Sequence, residues 1–210
     1  LAPLWPDAHA LAALQARLLL EGGLATHDAM AEVAVRAGRV ASLDEYFAQA
    51  MVADPLRDAD CPVYADGGVA VVLAAGDRAR AQCDAPAWIR GIDHRIDSHH
   101  LGVRDLTDAP SARLAAEHAG VGDGVVDVAE LHTAYSTHEL VLRRALDLGD
   151  DVPVGRGAQP LAGDTMMAPG LLNSARAAER ILDGSAARAV AHAAAGPLLQ
   201  QNLVCVLEGG

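Results

Sequence analysis

Asp127-Val128-Ala129-Glu130-Leu131-His132-Thr133-Ala134-Tyr135 is the stretch from which the fold is read. With Val125 and Val126 before it, the run to His132 predicts a strand. Ser136 predicts the cap of a helix that carries Leu140, Val141 and Leu146 and stops at Gly149. A strand passing straight into a helix puts His132 at the strand's C-terminal end, where open α/β sheets place their ligands.

The same alternation surrounds this unit. Trp88 to Ile92 predicts a strand, followed directly by a polar loop that runs through His94 to Asp105. Thr107 predicts a cap for a helix with Pro110 in its first turn and an end at Gly120. Residues 168–183 space Leu171, Leu172, Ala175, Ala178, Ile181 and Leu182 helically, with Gly184 as the stop. Residues 187–195 and 203–207 predict two closing strands, antiparallel neighbours across Gly196-Pro197 and a polar Gln200-Gln201-Asn202. Alternating apolar strands and helices mean a layered α/β domain around a buried sheet.

Upstream, residues 8–21 predict a helix with Leu11, Leu14 and Leu18 on one face, ended by Gly22-Gly23. Thr26 predicts the cap of a second helix with Met30, Val33 and Ala34 inward. Ser42-Leu43-Asp44-Glu45 has capping-box spacing and predicts a short helix to about Met51. Asp66-Gly67-Gly68 turns into Val69-Ala70-Val71-Val72-Leu73, which predicts a strand buried on both faces. Residues 76–86 have the character of a joint between two parts.

All 16 basic residues are arginine and the formal net charge is −12, a balance that argues against nucleic acid, whose phosphates need a concentrated basic patch. Hydrophobic residues make up 51%, enough for a core, yet no apolar run is long enough to span a bilayer. No export signal opens the sequence, and Cys61, Cys83 and Cys205 lack metal or CxxC spacing, which together suit a reducing cytoplasm.

Five segments, in order, resemble the thiolase superfamily, in particular its sterol-carrier-type thiolases and the related steroid side-chain aldolases. They are Ser42 to Leu56, Asp66 to Leu73, Asp127 to Tyr135, Met166 to Leu172, and Ala191-His192 with Gln200 to Leu203. The resemblance implies a layered αβαβα sandwich with an incomplete first half over 1–83 and a complete second half over 84–210. It also implies a nucleophilic cysteine in the part of the first half that these residues do not match, since neither Cys61 nor Cys83 stands at a strand-to-helix position.

Thiolase chemistry needs a thiolate to accept an acyl group, an acid/base for an α-proton, and donors for the oxyanions. The resemblance places His132 as an oxyanion donor or water holder; it reads equally as a structural histidine at a strand end. Asp164, in Gly163-Asp164-Thr165 where the family carries Gly-His-Pro, is either a base or the N-cap of the next helix. Tyr135, where the family carries Phe, is either a partner for a β-hydroxyl group or a plain aromatic exchange. Gly155-Arg156-Gly157-Ala158-Gln159 replaces the family's Asn-x-x-Gly-Gly loop, and Gly196-Pro197-Leu198 replaces its Cys-x-Gly. The histidines from His94 to His100 have no ligand spacing, and no metal or resident cofactor is expected.

These losses imply a degenerate thiolase-like subunit that handles acyl-CoA within a complex, with a thiolase-like or OB-fold partner. The alternatives are a thiolase-like aldolase or acyltransferase that makes or breaks a carbon–carbon bond in an acyl-CoA, and an acyl-CoA or lipid-binding protein without chemistry. Coenzyme A thioester enters as substrate in the first two, and an oligomer is expected.

Overall fold

Two eight-residue apolar strands, β5 (Arg188–Ala195) and β6 (Gln201–Glu208), form the centre of the molecule, and the rest of the sheet grows from their outer edges. In the computed structural model, which describes residues 6–155 and 160–210, they pair antiparallel as the sequence predicts. Beside β6 lies antiparallel β3 (Trp88–Ile96), and beside β5 lies parallel β4 (Val128–Glu130), giving the order β3-β6-β5-β4. Val154 adds a single parallel bridge to Ala129 at the outer edge of β4.

One face of this sheet is covered by α5 (Pro110–Ala119) and α6 (Ser136–Ala145), the other by α8 (Pro169–Leu182). Small side chains set the spacing. Ala112, Ala115, Ala116 and Ala119 of α5 pack on Val190, Val204 and Val206. Gly91 of β3 lets the backbone of Ala119 approach so closely that a Cβ there would overlap the Ala119 carbonyl.

A further helical layer comes from α1 (Ala8–Glu21), α2 (His27–Arg36) and α3 (Leu43–Ala48), with a small hairpin of β1 (Met51–Ala53) and β2 (Leu56–Arg57). Its core joins Ala12, Ala16, Met30, Ala34, Tyr46 and Leu56 to Tyr135 and Leu198. Asp7 caps α1 and Thr26 caps α2 through side-chain oxygens. Contrary to the leucine face expected for α1, its alanines and Leu19 turn inward while Leu14 and Leu18 stay exposed. Close helix packing favours the smaller side chains.

Several local expectations are corrected. The Ser42 hydroxyl accepts from Glu45 N–H, but the Glu45 carboxylate reaches back to Ala41 N–H, and α3 stops at Ala48 rather than Met51. β3 continues through His94 to Ile96, so the predicted loop begins four residues late. β4 is shorter than 125–132 because it pairs only with β5 and bridges Val154. Thr107 bonds Asp105 instead of capping α5, whose Ser111 N–H is met by Asp97 just past the end of β3. Ser136 is the first residue of α6, not its cap, and its hydroxyl serves Asp60.

The largest miss is the strand at Val69 to Leu73. Those residues form no strand and pair with none among the described residues, and Val72 is 96% exposed. The following segment forms α4 (Gly76–Gln82), and Pro160 to Gly163 forms the single turn α7, inside the predicted Gly-rich loop. Arg156 to Gln159 of that loop lie outside the described residues. Among the described residues, no helix is long and apolar enough to cross a membrane.

Candidate functional site

His132 sits just past β4, on the link to α6, at the C-terminal end of the strand as the sequence predicts. It is part-buried, and burial pushes its pKa down while the nearby Asp164 carboxylate pulls the other way. At neutral pH the ring is therefore neutral, able to donate from one nitrogen and accept at the other. Three residues on, Tyr135 is buried with its phenol oxygen 3.1 Å from His9 Nδ1. Burial first, then the neighbouring acidic groups, Asp7 and Asp164 among them, push the phenol's pKa well above its usual value, so it stays protonated.

Asp164 enters through a short parallel bridge to Tyr64. Its N–H donates to Val63 O at 2.6 Å and its carbonyl accepts from Ala65 N–H at 2.9 Å. Its carboxylate accepts from Met166 N–H at 2.8 Å, closing a turn in which Met166 has a φ of 61°. The helix α8 begins later, after Ala168, so the reading of Asp164 as its N-cap is corrected. The structure thus brings His132, Tyr135 and Asp164 into one neighbourhood, with the Asp164 charge acting on both rings. No hydrogen bond directly joins the three among the described contacts.

A fourth group is His138, a turn into α6. It is buried against the Tyr135 ring at 5.2 Å, edge to face, and neither ring nitrogen has a partner among the described residues. Burial, then the proximity of His132 and His192, pushes its pKa down to about 3. His192 on β5 is likewise buried and neutral, its pKa also lowered to about 3. Its ring accepts from His132 N–H and meets Asn202 Oδ1. Sequence reading singled out neither histidine as a site residue. The signal for His192 was the Gln200-Gln201-Asn202 turn, but the pairing needs the β5–β6 register, in which Asn202 lies diagonally across from His192.

The thiols are placed elsewhere chemically. Cys61 is buried near Tyr135, its Sγ–H donates to Arg57 O at 3.5 Å, and burial pushes its pKa up to about 12. Cys205 lies in the core under α8 with its pKa pushed up to about 11, and Cys83 caps the C-terminal end of α4. A thiolate is absent from each environment that is buried this way. Among the described residues, no group of three or more His, Cys, Asp or Glu side chains is arranged to hold a metal.

The mixed sheet between helical layers matches the fold of solved thiolases. Superposed on the crystal structure of the Bacillus anthracis acetyl-CoA acetyltransferase, the chain gives a TM-score of 0.74 at 15% identity, covering 93% of this chain and 59% of that one. Against human mitochondrial 3-ketoacyl-CoA thiolase the TM-score is 0.64 at 20% identity, covering 80% and 43%. In sequence it is 32% identical over 105 residues to the acetyl-CoA acetyltransferase of Methanothermobacter thermautotrophicus. It is 30% identical over 121 residues to the benzoylsuccinyl-CoA thiolase subunit BbsB of Thauera aromatica. These matches take 48% and 55% of this chain, which spans 27% and 31% of the length of those relatives. No family model matches the chain.

Proposed function

We propose that this chain is a degenerate thiolase-like subunit that handles an acyl-CoA within a complex and has no thiolase activity by itself. The observation that carries the reading is the mismatch at the site. A neutral His132 and a protonated Tyr135 both feel the Asp164 charge, while Cys61 and Cys205 are buried thiols with raised pKa values. Acyl transfer through sulfur needs a thiolate, and loss of one member of a cooperative catalytic set removes most of the rate.

The subunit reading has two supports. BbsB is itself described as a thiolase subunit. The apolar run Val69 to Leu73 pairs with no strand among the described residues, leaves Val71, Val72 and Leu73 exposed, and suits a partner of the thiolase-like kind. On this reading residues 1–83 close a first thiolase-like half and 84–210 form the second, the assembly is cytoplasmic and oligomeric, and an OB-fold subunit is the other partner class.

Native mass spectrometry on the protein isolated from its own host, paired with a β-ketoacyl-CoA thiolysis assay, tests this. The expected result is a mass of this chain plus a larger cysteine-bearing thiolase-like chain, and thiolysis only in that complex. Thiolysis by a homo-oligomer of this chain alone overturns the reading.

A second reading, an aldolase that cleaves a β-hydroxyacyl-CoA, is favoured by the protonated Tyr135 phenol three residues on from His132. Cleavage abolished in His132→Ala supports it; turnover unchanged in that variant removes His132 from the mechanism.

A further inference from the structure

A buried polar chain runs from the His132 loop to the far side of the sheet, and its hydrogen bonds all point one way. The His132 N–H lies 3.4 Å from His192 Nδ1. A backbone amide only donates, so Nδ1 is the acceptor and the ring hydrogen sits on Nε2, which faces Asn202 Oδ1 at 2.9 Å. With its oxygen so used, Asn202 donates from Nδ2 to Ser111 Oγ at 2.7 Å and to Leu199 O at 2.8 Å. The Ser111 hydroxyl then donates to Asp97 Oδ2 at 2.6 Å, so the chain ends on a carboxylate, a strong acceptor. His192 and Asn202 are fully buried, and reversing either would set a donor against a donor with no water to relieve it.

The chain ties together two walls of the candidate site. One is the His132 loop. The other is the β5–β6 turn, where the consecutive residues Leu198 and Leu199 take φ values of 54° and 57°. Left-handed leucines are unfavourable and persist only where the surroundings hold them. Here Asn202 holds Leu199 O, while Arg104 donates to Pro197 O at 3.0 Å and to Leu198 O at 3.4 Å. From the opposite layer, Asn173 of α8 donates to His192 O at 2.8 Å. His192 is therefore the residue at which the loop, the turn and α8 meet.

We propose that His192, fixed as its Nε2–H tautomer by Asn202, is a positioning residue that holds the His132 loop and the Leu198–Leu199 turn in register as the two walls of the acyl-thioester site. The role of those walls rests on the function proposed above; the tautomer and the coupling do not.

The test is nitrogen-resolved NMR on the intact protein, joined to acetyl-CoA titration. In the wild type, His192 should show a protonated Nε2 and an unprotonated Nδ1. His192→Leu keeps the volume and removes both bonds. It should shift the amide resonances of His132 and Leu199 together and weaken acetyl-CoA binding about tenfold. His192→Gln, which retains an acceptor and a donor, should restore both. A protonated Nδ1 in the wild type overturns the proposal without any variant. So does a His192→Leu protein in which the His132 and Leu199 amides stay in place. The expected tautomer and paired shifts without acetyl-CoA binding to the wild type would support the coupling and count against the acyl-CoA reading alone.

Discussion

Replacing Asp60 by alanine is expected to be among the most destabilising single changes in this protein. The carboxylate has no exposed surface and gathers three segments. Oδ2 accepts from Tyr46 OH of α3 at 2.8 Å and from Arg57 N–H at 2.8 Å, and Oδ1 accepts from the Ser136 hydroxyl that starts α6. Tyr46 and Ser136 are themselves fully buried, so Asp60→Ala strands two hydroxyls without an acceptor. Breaking a buried charged network of this kind costs about 3–5 kcal/mol. Against a typical total of roughly 5–15 kcal/mol that is a large fraction. At about 2–4 °C per kcal/mol for a chain of this size, the melting temperature should fall by roughly 6–20 °C. Ser136→Ala removes one bond and should cost about 1.5–3 kcal/mol. Urea unfolding of the two single variants and the double variant gives the coupling directly, and it should lie at about 0.5–3 kcal/mol. A loss below about 1 kcal/mol in Asp60→Ala, at unchanged m value, would refute the claim that this carboxylate joins the helical layer to the start of α6.

Acid should weaken the fold through His138 and His192. Both have folded pKa values lowered to about 3, so as pH falls below about 6.5 the unfolded chain takes up protons that the folded one refuses. The stability they confer is present above that pH and declines by about 3 kcal/mol between pH 6.5 and 5 for the pair. Urea midpoints across that range measure it, and His138→Gln should roughly halve the slope. Gly91→Ala drives a methyl group into the Ala119 carbonyl and should cost about 1–3 kcal/mol by parting β3 from α5, read from the same unfolding curves. Iodoacetamide at neutral pH should label Cys83 in the native protein and reach Cys61 and Cys205 only after unfolding, as peptide mapping would show.

What the sequence made legible was local chemistry. The caps at Thr26 and Ser42, the stops at Gly120 and Gly184 with φ of 78° and 75°, and the β5–β6 hairpin each follow from residues within a few positions of one another. Remote contacts were not legible. Thr107 looked like the cap of α5, but Asp97 takes that place because β3 runs four residues past its predicted end and delivers the carboxylate to Ser111. Ser136 looked like the cap of α6, but a buried carboxylate 76 residues earlier claims its hydroxyl. His132, Tyr135 and Asp164 were named from motif position. Their shared electrostatics, and the presence of His138 and His192 beside them, depend on register and packing that no spacing rule contains.

The run Val69 to Leu73 carries the same lesson further. Its composition is that of a strand buried on both faces, yet a strand is a property of a pair, and among the described residues no strand pairs with the run. Edge strand β3 repeats the pattern, with Ile89, Ile92 and Ile96 exposed on the face that α8 leaves uncovered. Soluble chains avoid leaving apolar sheet surface open to water, because it recruits other strands. Both features therefore bear on the subunit reading from outside the site. Cys61 and Cys205 are buried thiols with raised pKa values, and the exposed apolar run supplies a surface on which a partner would rest. If the complex forms, amide exchange across 69–73 should slow on assembly. Exchange that stays fast in the native complex would separate the two arguments and leave the site alone to carry the function.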